Sequence, residues 1–317
     1  MSLYRAARAV AEAEGDGPID WSAVGTAARE GVAPGDISLT TAEREGYASD
    51  VLEARRTVAE TAAIEFDLPE RIQIQHRHHW IDANLETFRR LLSPLESAQP
   101  GIAPSLARTA NTGSLAVTLG FLAKNVLGQY DPLLLADGSD HELYFVHPNI
   151  ERVAASFAVD RDRFRRWIAF HEVAHAAEFG AAPWLATHLE STMEETIERM
   201  ASGQFDRESL AELNTVMTAV EGYAELVMDR SFDREYDDLR EKLDARRRRA
   251  GPISQILRRL LGFGLKRQQY EQGKAFFDAV ADARGIEGAS VVWDRPGNLP
   301  SSSELDDPDR WIRRVDP

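Results

Sequence analysis

The 317-residue sequence contains no cysteine. Disulfides, thiolate metal ligands and cysteine nucleophiles are thereby excluded, so any bound metal must be held by histidine and carboxylate. Lysine is nearly as scarce: Lys124, Lys242, Lys266 and Lys274 are the only lysines among 37 basic residues. Acidic residues outnumber basic ones 52 to 37, a formal net charge of −15. A field of that sign repels nucleic acid and anionic membranes, and neither is expected as a partner. Long apolar runs are also missing. The longest, "SLAVTLGFLAKNVLG" from Ser114, is too short to span a bilayer and contains Lys124. The N-terminal "MSLYRAARAVAEAEGDG" has no apolar stretch of signal-peptide length. A cytoplasmic location is therefore expected.

What is present describes a globular chain. Hydrophobic residues make up 43% and aromatics 8%, with length enough for a sizeable core. The acidic, lysine-poor composition suits a salt-rich, halophilic cytoplasm, where counterions screen self-repulsion; it is equally what an acidic protein from a GC-rich genome would show. Residues 1–40 read as a short helix and a loop punctuated by Gly and Pro. A long helix is expected from near Thr41. "LPERIQIQHRHHW" reads as a short strand or extended entry to a helix. Two short apolar runs flank "ADGSD" (136–140), the pattern of a β-hairpin. Asp160 or Asp162 can cap a helix running to about Phe179, with Gly180 as its stop. Two more helices follow over 183–203 and 206–232, then an apolar one from Ile253 to Gly285. Residues 295–317, acidic and rich in Pro and Ser, read as an extended surface tail. The expectation is one mostly α (α+β) domain over 1–317, with a small β element.

Within the first of these late helices stands "FHEVAH". Residues four apart lie on one helical face, so His171 and His175 can reach one ion. Glu172 points round the helix, where it can take a proton from water; two ligands plus a base make His-Glu-x-x-His a zinc hydrolase motif. Phe164, Trp167 and Ile168 lie on the same stripe, which turns the histidines toward a core or cleft. Zinc requires a third protein ligand. The candidates are Glu194, Glu195 and Glu198, or Glu221 and Glu225. Leu213, Met217, Ala224 and Met228 mark an apolar stripe, and Glu221 falls within it. A carboxylate there needs a cation, either zinc or a buried arginine. Glu225, one turn on, could hydrogen-bond a ligating histidine from behind.

"HEVAH" followed by "EGYAE" resembles the glutamate zincins, whose third ligand comes from a helix carrying a string similar to Asn-Glu-Gly-Phe-Ala. Here Val220 stands in place of the Asn, and 45 residues separate His175 from Glu221, a longer gap than usual. More of the chain resembles zincin-like metalloproteases or hydrolases of actinobacteria, Chloroflexi and haloarchaea, some associated with coenzyme F420 biosynthesis. The matching stretches are "W-x-x-AN-x-x-x-F" (Trp80 to Phe88), "LGQYD", "LYFVHPNI", "HEVAHAAEFGAAPWL", "EGYAELVMD", "QYEQGKAFFDAV" and "DPDRWIRRV". The resemblance implies a zincin-like fold with its small sheet beside the His171 helix, and Zn²⁺ held by His171, His175 and Glu221. It implies a peptide or protein substrate, with Glu172 as general base. Tyr223 and His188 are the candidates for stabilising the oxyanion. An edge strand in "ELYFVHPNI" could align the substrate through main-chain pairing.

Other signals carry less. "QHRHHW" (His76, His78, His79) could bind metal but fits a surface or loop role. "ARRRRAG" fits a solvated helix end, "GFG" at 262–264 lacks the rest of a dinucleotide fingerprint, and "ILRRLLGFGL" fits packing inside the protein. The leading function is a zinc-dependent metallopeptidase. The alternatives are a zinc-stabilised scaffold or binding protein of the same fold, or a hydrolase of small amides.

Overall fold

A computed structural model describes residues 3–15, 17–93, 104–131, 141–201, 207–232, 236–239, 241–242 and 267–317. The hairpin spacer "ADGSD", the arginine run, "GFG" and "ILRRLLGFGL" lie outside them.

The chain opens with two helices, α1 (Leu3–Ala11) and α2 (Trp21–Gly31), where the sequence suggests one helix and a loop. Asp20 starts α2 by accepting the Ala23 N–H at 3.0 Å, a standard use of Asp at a helix entry. The long helix expected near Thr41 is α3 (Thr41–Ala62), entered through a reciprocal Thr40–Glu43 capping box. Strand β1 (Ile72–Gln75) leads into α4 (Arg77–Leu91). The histidine tract is structural at this junction. His76 Nδ1 accepts the His79 N–H and the two rings stack, while His78 Nε2 donates to the Val32 carbonyl oxygen at 2.7 Å. After α5 (Pro104–Asn125) come β2 (Gly128–Asp131) and β3 (Glu142–Val146), paired antiparallel as the hairpin pattern implies.

The three strands form one sheet in the order β1-β3-β2, with β1 parallel to β3. The strand within "ELYFVHPNI" is therefore central, not an edge: hydrogen bonds to β1 and β2 use both of its sides, and "HPNI" already belongs to helix α6 (His147–Phe157). Alternation sends Ile72, Ile74, Leu143 and Phe145 to one face, against the main core. Gln73, Gln75, Gln129, Glu142 and Tyr144 share the other.

Helix α7 (Arg161–Ala181) crosses the middle of the molecule, capped by Asp160, which accepts the Arg163 N–H at 2.9 Å. It is buried on nearly all sides, packed between α3 and α9 (Arg207–Ser231) and against β2. Gly180 does not stop it. The glycine lies inside the last turn, where a side-chain carbon would fall 2.6 Å from Phe66 Cβ. Helix α8 (Trp184–Ala201) follows, and α10 (Arg267–Ser290) crosses α9 where Gly222 meets Gly273. A side-chain carbon on Gly222 would lie 2.5 Å from the Gly273 carbonyl carbon, so two backbones are in contact there.

Residues 295–317 are not an extended tail. They fold into a 3-10 turn at Pro296–Asn298 and helices α11 (Ser302–Asp306) and α12 (Pro308–Val315). Trp311 is fully buried and donates its indole N–H to the Asn298 carbonyl at 2.6 Å, while Arg314 pairs with Glu304 at 2.6 Å. The aromatic anchor outweighs the polar composition. Among the described residues no helix is long and apolar enough to cross a membrane.

Candidate metal centre

The site begins with α7. Its spacing puts His171 and His175 on one face, with ring centroids 4.7 Å apart and planes at 77°. Trp167, one turn before, stacks on His171 with planes 5° apart and fixes that ring's tilt. Helix α9 brings Glu221 to them. Ligand atoms of His171, His175 and Glu221 all lie within 4.8 Å of one another. Glu194, Glu195 and Glu198 stand exposed on α8, and Glu195 pairs there with Arg199.

The donor set fits zinc: two imidazoles and a carboxylate, the mixture of a catalytic site with a position left open. Glu221 Oε2 is buried and accepts no hydrogen bond from any protein group. A carboxylate oxygen in that state costs free energy unless a cation meets it. Among the described residues no arginine or lysine pairs with Glu221, and an ion held with the two histidines would meet that oxygen.

His175 is held from behind. Its Nδ1 lies 2.8 Å from Glu178 Oε2, one turn further along α7. Because a carboxylate only accepts, Nδ1 carries the proton and Nε2 is left for an ion. Burial disfavours charge on His175, yet the Glu178, Glu221 and Glu172 carboxylates outweigh it and raise its pKa. Without a metal, the cluster is a concentration of negative charge that attracts a cation.

Glu172 lies on the adjoining face of α7, buried under β2. Its Oε2 accepts the Tyr130 N–H at 3.0 Å. The antiparallel register explains why this N–H is available. Val146 donates to Leu127 O, so 127/146, 129/144 and 131/142 are the hydrogen-bonded pairs, and the Gly128 and Tyr130 amides point away from β3. Gly128 lets the strand come this close: a Cβ there would meet Glu172 Cγ at 2.6 Å and Oε1 at 2.7 Å. Burial pushes the Glu172 carboxyl up to about 7; nearby His175 and the Tyr130 N–H act against this, and Glu221 adds to it.

A closed ring of hydrogen bonds positions β2 itself. Trp80 Nε1 donates to Gln129 Oε1 at 2.7 Å, Gln129 Nε2 to Asn84 Oδ1 at 3.0 Å, and Asn84 Nδ2 to the Trp80 carbonyl at 2.9 Å. This ties "W-x-x-AN" to "LGQYD". The Asn149 of "HPNI" likewise donates to the Ala123 and Val126 carbonyls and accepts from Arg77.

Two other candidates, Tyr223 and His188, stand elsewhere. Tyr223 is fully buried, with its hydroxyl 2.7 Å from Ser290 Oγ and its ring edge-on to Phe277 and Trp293, so it packs the core and cannot reach an oxyanion. His188 packs edge-on against Trp184. Glu225 is buried on α9, but the carboxylate on His175 is Glu178. Sequence reasoning missed Glu178 and the backbone of Gly128 and Tyr130. The first was detectable as a glutamate one turn past a ligating histidine.

A family model for a zincin-like metallopeptidase matches residues 19–208 and 199–312. No curated protein matches the chain. A solved structure from Chloroflexus aurantiacus, described as a "putative hydrolase with a novel fold", is similar over 100% of this chain and 99% of its own, at 31% identity and a TM-score of 0.74. The match spans both helices of the His-His-Glu cluster and the strand against Glu172: the chain belongs to the zincin-like metallopeptidase family.

Proposed function

We propose that the protein is a zinc-dependent hydrolase that cleaves peptide bonds. The observation that carries this reading is the meeting of His171, His175 and Glu221 beside a second buried carboxylate, Glu172. His171, His175 and Glu221 would hold the ion. When bound there, zinc supplies Lewis-acid polarisation of a carbonyl and lowers the pKa of water. Glu172 takes the proton and returns it to the leaving amine. The Tyr130 N–H holds Oε2, so Oε1 is the oxygen that carries that proton. Glu178 keeps the His175 ring in one orientation and one tautomer.

One observation favours a second reading. Glu172 is only 7% exposed and lies directly under Gly128, as expected of a zinc-stabilised scaffold that binds without turnover, with coenzyme F420 metabolism as one setting. Glu172→Gln separates the two. Hydrolysis of a peptide library should fall by at least about a hundredfold while zinc content stays unchanged. Equal cleavage by wild type and variant would remove Glu172 from the chemistry. Zinc analysis of Glu221→Ala and Glu225→Ala checks the ligands: the first should lose the metal and the second retain it.

A further inference from the structure

The outer face of the sheet holds a second polar site, away from the His-His-Glu cluster. A pocket of about 370 Å³ opens between β1, β3 and α4, with Gln73, Gln75, Glu142 and Tyr144 on its sheet wall and His79 and Asp82 on its helical wall.

The hydrogen bonds on the sheet wall have a direction. Glu142 is a carboxylate and only accepts, so Gln73 must turn its amide nitrogen toward it, and does so at 2.9 Å. That places Gln73 Oε1 toward Gln75, whose Nε2 donates to it at 3.1 Å. The polarity set by Glu142 thus passes along the row, and the group left over is Gln75 Oε1. Gln75 is only 4% exposed, and this oxygen is buried with no hydrogen-bond partner in the protein. Flipping the Gln75 amide would turn its oxygen against Gln73 Oε1 and break the row.

Both ends of the row therefore offer acceptors. The charges on the wall are unequally matched. Asp82 is engaged by Arg29, whereas Glu142 has no cationic partner among the described residues. A concave site with a buried acceptor and a carboxylate that has no cationic partner among the described residues favours a cation that carries N–H groups. We propose that this pocket binds a primary ammonium or guanidinium group, with Glu142 as its acceptor; Gln75 Oε1, at the other end of the row, is left for a second donor of the same ligand. The Glu142 charge disfavours anions at the same wall. The site uses none of the residues assigned to zinc and does not depend on that reading.

The test is calorimetric titration of the full-length, zinc-supplemented protein with butylguanidine, butylamine and butylurea at constant ionic strength. Butylurea keeps the N–H groups and the alkyl chain but lacks the charge. One or both cations should bind saturably and at least about tenfold more tightly than butylurea, and the tighter of the two identifies the preferred head group. Glu142→Gln should weaken cation binding at least about tenfold, with thermal unfolding as the check on folding. Glu142→Ala removes the same charge without leaving an amide, should weaken cation binding likewise, and decides the matter if Glu142→Gln fails to fold. No saturable binding of either cation by folded wild type, equal binding of butylurea, or unchanged affinity in folded Glu142→Gln would each overturn the proposal.

Discussion

Glu178 offers a direct test of how the metal centre is built. Its carboxylate is fully buried and meets His175 Nδ1 at 2.8 Å, with the His175 side chain 14% exposed. Glu178→Gln keeps an acceptor oxygen and the volume but removes the charge; Glu178→Ala removes both and leaves the imidazole free to turn. Loss of a carboxylate behind a ligating histidine weakens metal binding by about 10- to 100-fold, or about 1.4 to 2.8 kcal/mol. The Gln variant should fall near the lower figure and the Ala variant near the upper. Competition with a chromophoric zinc chelator near neutral pH measures both. The zinc-dependent rise in unfolding temperature gives an independent reading, because stabilisation follows the ratio of free zinc to the dissociation constant. The reasoning is refuted if both variants fold and bind zinc within about twofold of wild type. His175 would then be oriented by its own helix.

Three further predictions follow from packing and charge. Gly128→Ala forces a carbon to within 2.6 Å of Glu172 Cγ, so the carboxylate must shift by roughly an ångström; peptide hydrolysis should drop about a hundredfold with zinc affinity intact, and a loss of zinc instead would show that β2 supports the ligands. Gly273→Ala drives a methyl into the Thr218 carbonyl where α9 and α10 cross, with Gly222 Cα 3.2 Å away. It should destabilise by about 1 to 3 kcal/mol in denaturant titrations, and an unchanged midpoint would refute the backbone contact. Burial opposes charge on Glu304, but the Arg314 hydrogen bonds and the Ser301 N–H hold its pKa below the ordinary glutamate value. A lowered folded pKa gives stability that is present above the unfolded pKa and lost as pH falls through the folded one. The stability gap between wild type and Arg314→Met should therefore close in acid; a gap that persists below both values would show a packing effect instead.

Helical spacing alone points to much of this candidate centre. His171, Glu172 and His175 lie within five residues on one helix, and Glu221 is a carboxylate on a stripe whose Leu213, Ala224 and Met228 are buried. What spacing could not show is what lies behind and above those side chains. Tyr130 is 42 residues from Glu172 in sequence, and its role depends on strand register, which no local pattern encodes. The oxyanion candidates came from closeness in sequence. Tyr223 is two residues past Glu221, about 200° round the helix, and so faces the opposite core. The C-terminal residues have the composition of a surface tail, but a single aromatic anchor, Trp311, folds them onto the core. The sequence pattern shows the hairpin but not the sheet order: the parallel partner of β3 lies some seventy residues earlier, across two of the described helices.

That order has a kinetic consequence. Helices α7 and α9 can form from local contacts, but joining residues 72–75 to 143–146 must first close a long loop. Parallel pairing of this kind is slow relative to helix formation. The His-Glu-x-x-His helix should thus exist during folding before β2 settles over Glu172 and the Trp80–Gln129–Asn84 ring closes. The Tyr130 contact that fixes Glu172 would be the last part of the centre to form, so a refolding protein should acquire zinc before it acquires activity.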